Sequence, residues 1–259
     1  MNILDAIVEQ KRVEVLKRKQ ECPLSNLGSF ESYRRKTNVI TIPEPEEKPG
    51  IIAEFKRKSP SRGPIHMNAE PVKVATAYEA AGVRAMSILT DQSFFGGSLK
   101  DLKQVREFCP HLVLLRKDFI IDPYQLHEAS AYGADMVLLI AAILDRKEVE
   151  ELALEAASLG LNILFEVHHK VELEMYHSEI KYVGVNNRDL KTFKVDTGRS
   201  LELIAEMPPG VVPVSESGLS SPDEIKKLWA AGYRLFLMGE NFMKEKDPGL
   251  ACQSLINKL

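Results

Sequence analysis

The sequence predicts an α/β fold, a (β/α)8 TIM barrel with an N-terminal helical extension. Three features of the chain predict it. Eight short apolar runs recur from Ile51 onward, and a potential helix follows each one. The runs are apolar almost without interruption, as strands are when both faces of a parallel sheet are covered. One helix-stop-strand unit recurs as AAGVRAMSIL, AYGADMVLLI and AAGYRLFLM, and a βα unit repeated eight times is the sequence form of this barrel. A doubly wound open sheet is the competing architecture, and no G-x-G-x-x-G supports it.

Residues 1–21 read as a helix, with Ile3, Leu4, Ile7, Val8, Val15 and Leu16 as a broken apolar face among charges. Residues 39–50, VITIPEPEEKPG, carry three prolines, which disfavours both a helix and a central strand. They read as an extended connection, so residues 1–48 form the extension and 49–259 the barrel. The strand candidates are IIAEF (51–55), AMSIL (85–89), LVLLR (112–116), DMVLL (135–139), NILFE (162–166), KYVGV (181–185), VVPVS (211–215) and RLFLM (234–238). Asp122-Pro123 and Ser221-Pro222 each give a helix cap followed by proline at the first helical position. Gln125 and Glu224 stand where a capping box needs them, and Asp145 with Glu148 repeats that spacing. Gly82, Gly133, Gly160 and Gly232 precede apolar runs and read as helix stops.

Composition narrows the class. With 44% hydrophobic and 27% charged residues the chain is an ordinary globular one. Its 34 basic and 37 acidic residues give a net charge of −3, no field that calls for nucleic acid or an anionic membrane. Cys22, Cys109 and Cys252 are far apart and form no C-x-x-C, against a disulfide framework or a zinc site. The longest apolar run, Met136–Leu144, is far short of the roughly 20 residues that span a bilayer. The N-terminus has no apolar stretch suited to a signal peptide. The expectation is a soluble, cytoplasmic protein.

Charged residues gather at the C-terminal ends of the predicted strands. Glu54 and Lys56 share one face at the end of the first, with Phe55 pointing the other way. Lys117 follows the third strand, Glu166 closes the fifth, Arg188 follows the sixth and Glu216 the seventh. A lone charge at a strand end is ordinarily a solvated loop residue. In a barrel, however, five such ends meet at one mouth, where active sites lie. Carboxylates and lysines confined together shift one another's protons, so that a Lys can donate and a Glu accept near neutral pH. The cations also suit an anionic substrate. Arg116 and Asp118 read as structural ion-pair residues, and Asp91 is open between site and scaffold.

Ser59-Pro60-Ser61-Arg62-Gly63, Ser217-Gly218-Leu219 and Gly239-Glu240-Asn241 follow the first, seventh and eighth strands. Each alone is an ordinary turn. Together they match the barrel phosphate site after strands seven and eight, where backbone N–H groups can approach an oxyanion. Phe94-Phe95-Gly96-Gly97 reads equally as an apolar-tipped lid or as a core-filling loop. The six histidines lack metal-ligand spacing, and His168 and His169 read as surface or helix-start residues. No P-loop, H-E-x-x-H or G-x-S-x-G is present.

In order, IIAEFKRKSPSRG, SILTDQSFFGG, LLRKDFIID, FEVHH, VGVNNRDLKTF, VSESGL and LMGENFM resemble the indole-3-glycerol phosphate synthases, from Ile51 to Met243. The extension ILDAIVEQKRVEVLKRK resembles them too. The resemblance implies a carboxy-lyase of tryptophan biosynthesis. It would convert 1-(2-carboxyphenylamino)-1-deoxyribulose 5-phosphate to indole-3-glycerol phosphate, carbon dioxide and water, with no cofactor and no metal. It implies that Lys117 is the general acid of ring closure and that Glu166 stabilises cationic intermediates or handles protons. Glu54 and Lys56 would position the substrate and serve dehydration. Asn186, Arg188 and Glu216 would shape the pocket. Phosphate would sit on Ser59, Ser217, Gly218, Gly239 and the backbone at Glu240, with Phe95 and Phe119 lining the anthranilate pocket. The first helix would pack near the mouth. The implied partner is a small anionic phosphosugar-anthranilate substrate, with no nucleic acid and no membrane.

Two other readings stand beside this one. The isomerase that makes the same substrate would share the phosphate loops but use a Cys/Asp pair, and no Cys ends a predicted strand here. A non-catalytic phosphate-ligand barrel would not need Glu54, Lys56, Lys117 and Glu166 together.

Overall fold

A computed structural model describes residues 3–189 and 192–259. Met1, Asn2 and two residues of the VGVNNRDLKTF motif, Leu190 and Lys191, lie outside the described residues. The eight apolar runs become β1 (Gly50–Phe55), β2 (Ala85–Leu89), β3 (Leu114–Lys117), β4 (Met136–Ile140), β5 (Asn162–Val167), β6 (Tyr182–Asn186), β7 (Val212–Glu216) and β8 (Leu235–Met238). Each pairs in parallel with its sequence neighbours, and β1 pairs with β8 to close the barrel.

The unbroken apolar runs serve two cores. Successive side chains alternate across a strand. Ile52, Leu115, Leu164, Val214 and Leu237 fill the barrel interior. Their neighbours Phe55, Leu114, Phe165 and Phe236 face the helix layer, where Phe55 points as expected.

The N-terminal extension opens with α1 (Ile3–Glu21). The layer around the barrel comprises α2 (Pro71–Ala80), α3 (Leu99–Phe108), α4 (Pro123–Ala131), α5 (Arg146–Ser158), α6 (Gly198–Leu203), α7 (Pro222–Ala231) and α8 (Pro248–Ile256). The expectation of a helix after every strand fails at β5. There the return is a 3-10 segment, Lys170–Met175. A 3-10 helix rises further per residue than an α-helix, which suits a short connection.

Capping boxes close the N-termini of α5 and α7, at Asp145 with Glu148 and Ser221 with Glu224. The box expected at Asp122 does not form. Asp122 accepts from the Tyr124 N–H, while Gln125 reaches past it. Gln125 Oε1 accepts from the Ile121 N–H and its Nε2 donates to the Phe119 carbonyl, so this buried amide shapes the loop after β3. The four predicted stop glycines all adopt positive φ.

α1 packs at the barrel mouth. Lys11, only 1% exposed, sits at the same i, i+4 spacing as Ile7 and Val15 and turns inward with them. Its Nζ lies 2.8 Å from Asp91 and 2.9 Å from Asp118. Asp118 also accepts from Thr90 and pairs with Arg116. Arg116 and Asp118 are therefore structural, as expected, and Asp91 joins them, also capping the short helix Gln92–Phe95. The chain then runs to the opposite barrel end, where Arg35 and Arg106 both bind the Asp135 carboxylate. Among the described residues no helix is long and apolar enough to cross a membrane.

Candidate active site

One step above the apolar interior, the inward positions turn ionic. Glu54 on β1, Lys117 on β3, Glu166 on β5, Asn186 on β6 and Glu216 on β7 point into the mouth, where the strand alternation places them. The register sets Asn186 beside Glu216 and Glu166 beside Gly184. Lys117 Nζ donates to Glu166 Oε2 at 3.1 Å and to Glu216 Oε2 at 2.5 Å. Asn186 Nδ2 donates to Glu166 Oε1 at 3.0 Å. Lys56, just past β1, donates to Glu54 Oε1 at 2.6 Å.

Two glycines make this crowding possible. A Cβ at Gly184 would fall 2.0 Å from Glu216 Oε1, and one at Gly239 would fall 2.7 Å from Glu54 Cβ. Any side chain there would push a carboxylate out of the cluster.

The charges settle one another. Burial would drive the Lys117 ammonium toward neutrality, yet the Glu216, Glu166 and Glu54 carboxylates overcome it and hold the proton on more firmly than usual. Burial would protonate Glu54 and Glu166, and the facing lysines hold both ionised instead. Glu216 is the exception. Burial, with Glu166 and Glu54 adding like-charge repulsion, outweighs Lys117 and raises its carboxyl to about 7. The cluster therefore contains a lysine that is fully charged at neutral pH and a carboxylate poised to exchange a proton there.

The cluster floors a cavity of 350 Å³, within the usual range for small-molecule sites. Glu54, Lys56, Lys117, Glu166 and Asn186 line it. Glu216 does not. It lies buried beneath and reaches the cavity through Lys117. One wall is apolar: Phe95 and Phe119, with ring centroids 5.9 Å apart, face Ile3, Leu4 and Ile7 of α1. Phe95 is packed in this wall, and Gly97 lies against the Leu89 carbonyl, where a Cβ would fall 2.0 Å from the oxygen. This supports the packed-loop reading of Phe94–Gly97 over the lid.

The other end is built for an anion. Ser59, Ser217, Gly218, Gly239 and Glu240 all line it, with Ser61, Arg62 and Arg188. Ser217 and Gly218 take successive positive φ, which turns the chain sharply at the rim. The Glu240 carboxylate stands between two guanidinium groups, 2.9 Å from Arg62 and 3.4 Å from Arg188.

Every expected site residue thus belongs to one locus. The sequence reading missed Lys11, Gly184 and His168. Lys11 had a signal, its place in the apolar stripe of α1. Gly184 had none, since nothing in KYVGV says which neighbour approaches it. His168, read as a surface or helix-start residue, is 4% exposed and packed between Glu166 and Glu172. Among the described residues no cluster of His, Cys, Asp and Glu has the geometry to hold a metal ion.

A family model described as indole-3-glycerol phosphate synthase matches residues 4–255. An indole-3-glycerol phosphate synthase of Bacteroides thetaiotaomicron is 44% identical over 258 residues, covering 100% of this chain and 99% of the relative. Proteins of that name from Verminephrobacter eiseniae and Salinibacter ruber are 41% and 42% identical, each covering 98% of this chain and 98% and 95% of theirs. Among solved structures, a 3-hexulose-6-phosphate synthase superposes with a TM-score of 0.66 at 14% identity, over 81% of this chain and 99% of its own. KGPDC from Streptococcus mutans gives 0.61 at 12% identity, over 82% of this chain and 97% of its own. These two likenesses show the barrel fold.

Proposed function

The chain belongs to the indole-3-glycerol phosphate synthase family, and we propose that Lys117 supplies the proton that closes the indole ring in its barrel mouth. The activity is that of the family: a carboxy-lyase of tryptophan biosynthesis acting on a small phosphorylated substrate. The observation that carries the assignment of roles is the setting of Lys117. It is held charged between Glu166 and Glu216, at the floor of a cavity with an anion end and an aromatic wall.

The phosphate is gripped by Ser59, Ser217, the backbone N–H groups at Gly218, Gly239 and Glu240, and by Arg62 and Arg188. It takes over the guanidinium contacts that Glu240 makes here. The anthranilate ring lies along Phe95 and Phe119. This places the substrate carbonyl over Lys117. As the ring carbon attacks, the carbonyl oxygen gains negative charge and takes the Lys117 proton. The carbon–carbon bond to the carboxylate then breaks, its electrons returning to the cationic ring. Glu166 and Glu54 favour that cation electrostatically. Lys56 protonates the departing hydroxyl, and Glu54, beside it in the cavity lining, takes the proton from the carbon next to nitrogen and returns it to Lys56.

Incubation with the carboxyphenylamino-deoxyribulose phosphate tests the assignment, with indole fluorescence rising as one carbon dioxide leaves per indole formed. An inert, folded protein would contradict it. Glu216 also sets a pH dependence. Its carboxyl, raised to about 7, gives Lys117 its full counter-charge only when ionised, so the rate climbs as pH rises through that value. Glu216→Gln is expected to lower the rate and to abolish that inflection, as a pH–rate profile of the two proteins would show.

We further infer a cytoplasmic location, supported by three unpaired cysteines. Residues 1–48 act as part of one structural unit with the barrel at 49–259, since α1 supplies Ile3, Leu4 and Ile7 to the cavity wall.

A further inference from the structure

The reaction takes up one proton per turnover. Two protons go in, one to the carbonyl oxygen and one to the hydroxyl that leaves as water. One comes off the carbon beside nitrogen. The substrate carboxylate leaves as neutral carbon dioxide, so the balance is one proton drawn from solvent. Lys117 lines the floor of the cavity, so bound substrate covers its open side and leaves the side facing Glu166 for recharging.

His168 stands at that position. It is 4% exposed, and neither ring nitrogen has a hydrogen-bond partner. Buried polar groups without partners are rare and call for an account. Nε2 is 3.7 Å from Glu166 Oε1, and Nδ1 is 3.9 Å from Glu172 Oε2. The ring therefore lies between two carboxylates, one of them the partner of Lys117.

His168 also joins the catalytic cluster to a second cavity. The catalytic cavity touches Glu166 but not His168. A second cavity of 760 Å³ is lined by His168 with Asp145, Glu148, Glu172 and Asp189. These acidic walls raise the local concentration of protons.

We propose that His168 is a positioning residue for the ring-closing acid, relaying solvent protons from the acidic cavity through Glu166 to Lys117. This rests on the synthase reading above. The ring takes a proton at Nδ1 and releases the one on Nε2 to Glu166 Oε1. The carboxyl turns its O–H toward Lys117, whose amine lies 3.1 Å from Oε2, and surrenders the proton. Only N–H and O–H bonds form and break, and the single proton gained equals the single proton consumed.

The groups facing the ring suit this traffic. Glu166 and Glu172 favour its charged form, while Arg199, His169 and burial oppose it, and burial dominates. The ring is thus neutral at rest and free to accept.

The test uses His168→Ala and His168→Gln in the full chain. Both are expected to lose roughly tenfold in kcat, below the ~100-fold cost of removing a direct donor. KM stays unchanged, and solvent deuterium slows both variants more than wild type. Added imidazole, entering through the second cavity, restores His168→Ala but not His168→Gln, whose side chain fills the space. Should His168→Ala not fold, the isotope effect on His168→Gln decides alone: a larger effect than wild type supports the relay and an unchanged one overturns it. Wild-type kcat in either variant overturns it. So does a loss in His168→Ala that imidazole leaves untouched and that raises KM instead. Absence of indole formation by wild type would strike the synthase reading, a separate outcome.

Discussion

Lys11→Met is expected to destabilise the protein by about 3–5 kcal/mol, the scale for removing one partner of a buried ion pair. In a chain of this size that lowers the thermal midpoint by roughly 10 °C. The cause is local. Lys11 is the cation between Asp91 and Asp118, and both carboxylates are fully buried. Methionine keeps the length and the packing of the side chain but leaves Asp91 without that cation and Asp118 with Arg116 alone. Lys17→Met serves as the control, since Lys17 is exposed and pairs with exposed Glu21; there the change stays within about 0.5 kcal/mol.

The sign of the pH dependence follows. Asp118, despite its burial, is held well below the usual carboxylate range by Lys11 and Arg116. Its contribution is present above about pH 4 and fades as acid protonates it. Burial opposes the Lys11 charge, but Asp118 and Asp91 raise its hold on the proton, a contribution lost only in strong base. The gap between wild type and Lys11→Met is therefore widest across the neutral range and closes in acid. Thermal melts of the three proteins at pH 3 and pH 7 measure it.

Lys117→Ala is expected to lose at least about 100-fold in kcat, equivalent to about 2.7 kcal/mol of transition-state stabilisation. KM changes little, because the anion end of the cavity lies on other loops and remains intact. The split distinguishes a proton donor from a binding group, which would raise KM with kcat unchanged. Glu166 and Glu216 lose their shared cation in the variant, so both carboxyls move up and take protons. That relief keeps the barrel folded, which a melt confirms.

How much of this is legible in the sequence depends on the kind of contact. Barrel strands announce themselves through apolar runs and glycine stops, and their C-terminal ends then predict the mouth without any coordinates. Glu54, Lys117, Glu166 and Glu216 come from strand alternation plus that rule. The return after β5 escapes the pattern because a short connection between two strong strands can be α or 3-10, and length decides. Asp122 and Gln125 have box spacing, yet Gln125 is buried and its amide serves the Phe119 loop instead. Gly184 and His168 are legible only in three dimensions: one is defined by a neighbour's carboxylate, the other by the two carboxylates and the second cavity around it.

Indole fluorescence on mixing the carboxyphenylamino-deoxyribulose phosphate with wild type, Lys117→Ala and Lys56→Ala in one assay tests the central claim most directly. The expected result is rapid indole formation by wild type and a rate at least about 100-fold lower in Lys117→Ala at near-constant KM. Wild-type turnover in Lys117→Ala, with Lys56→Ala inactive, would contradict the assignment of the ring-closing acid and move it to Lys56.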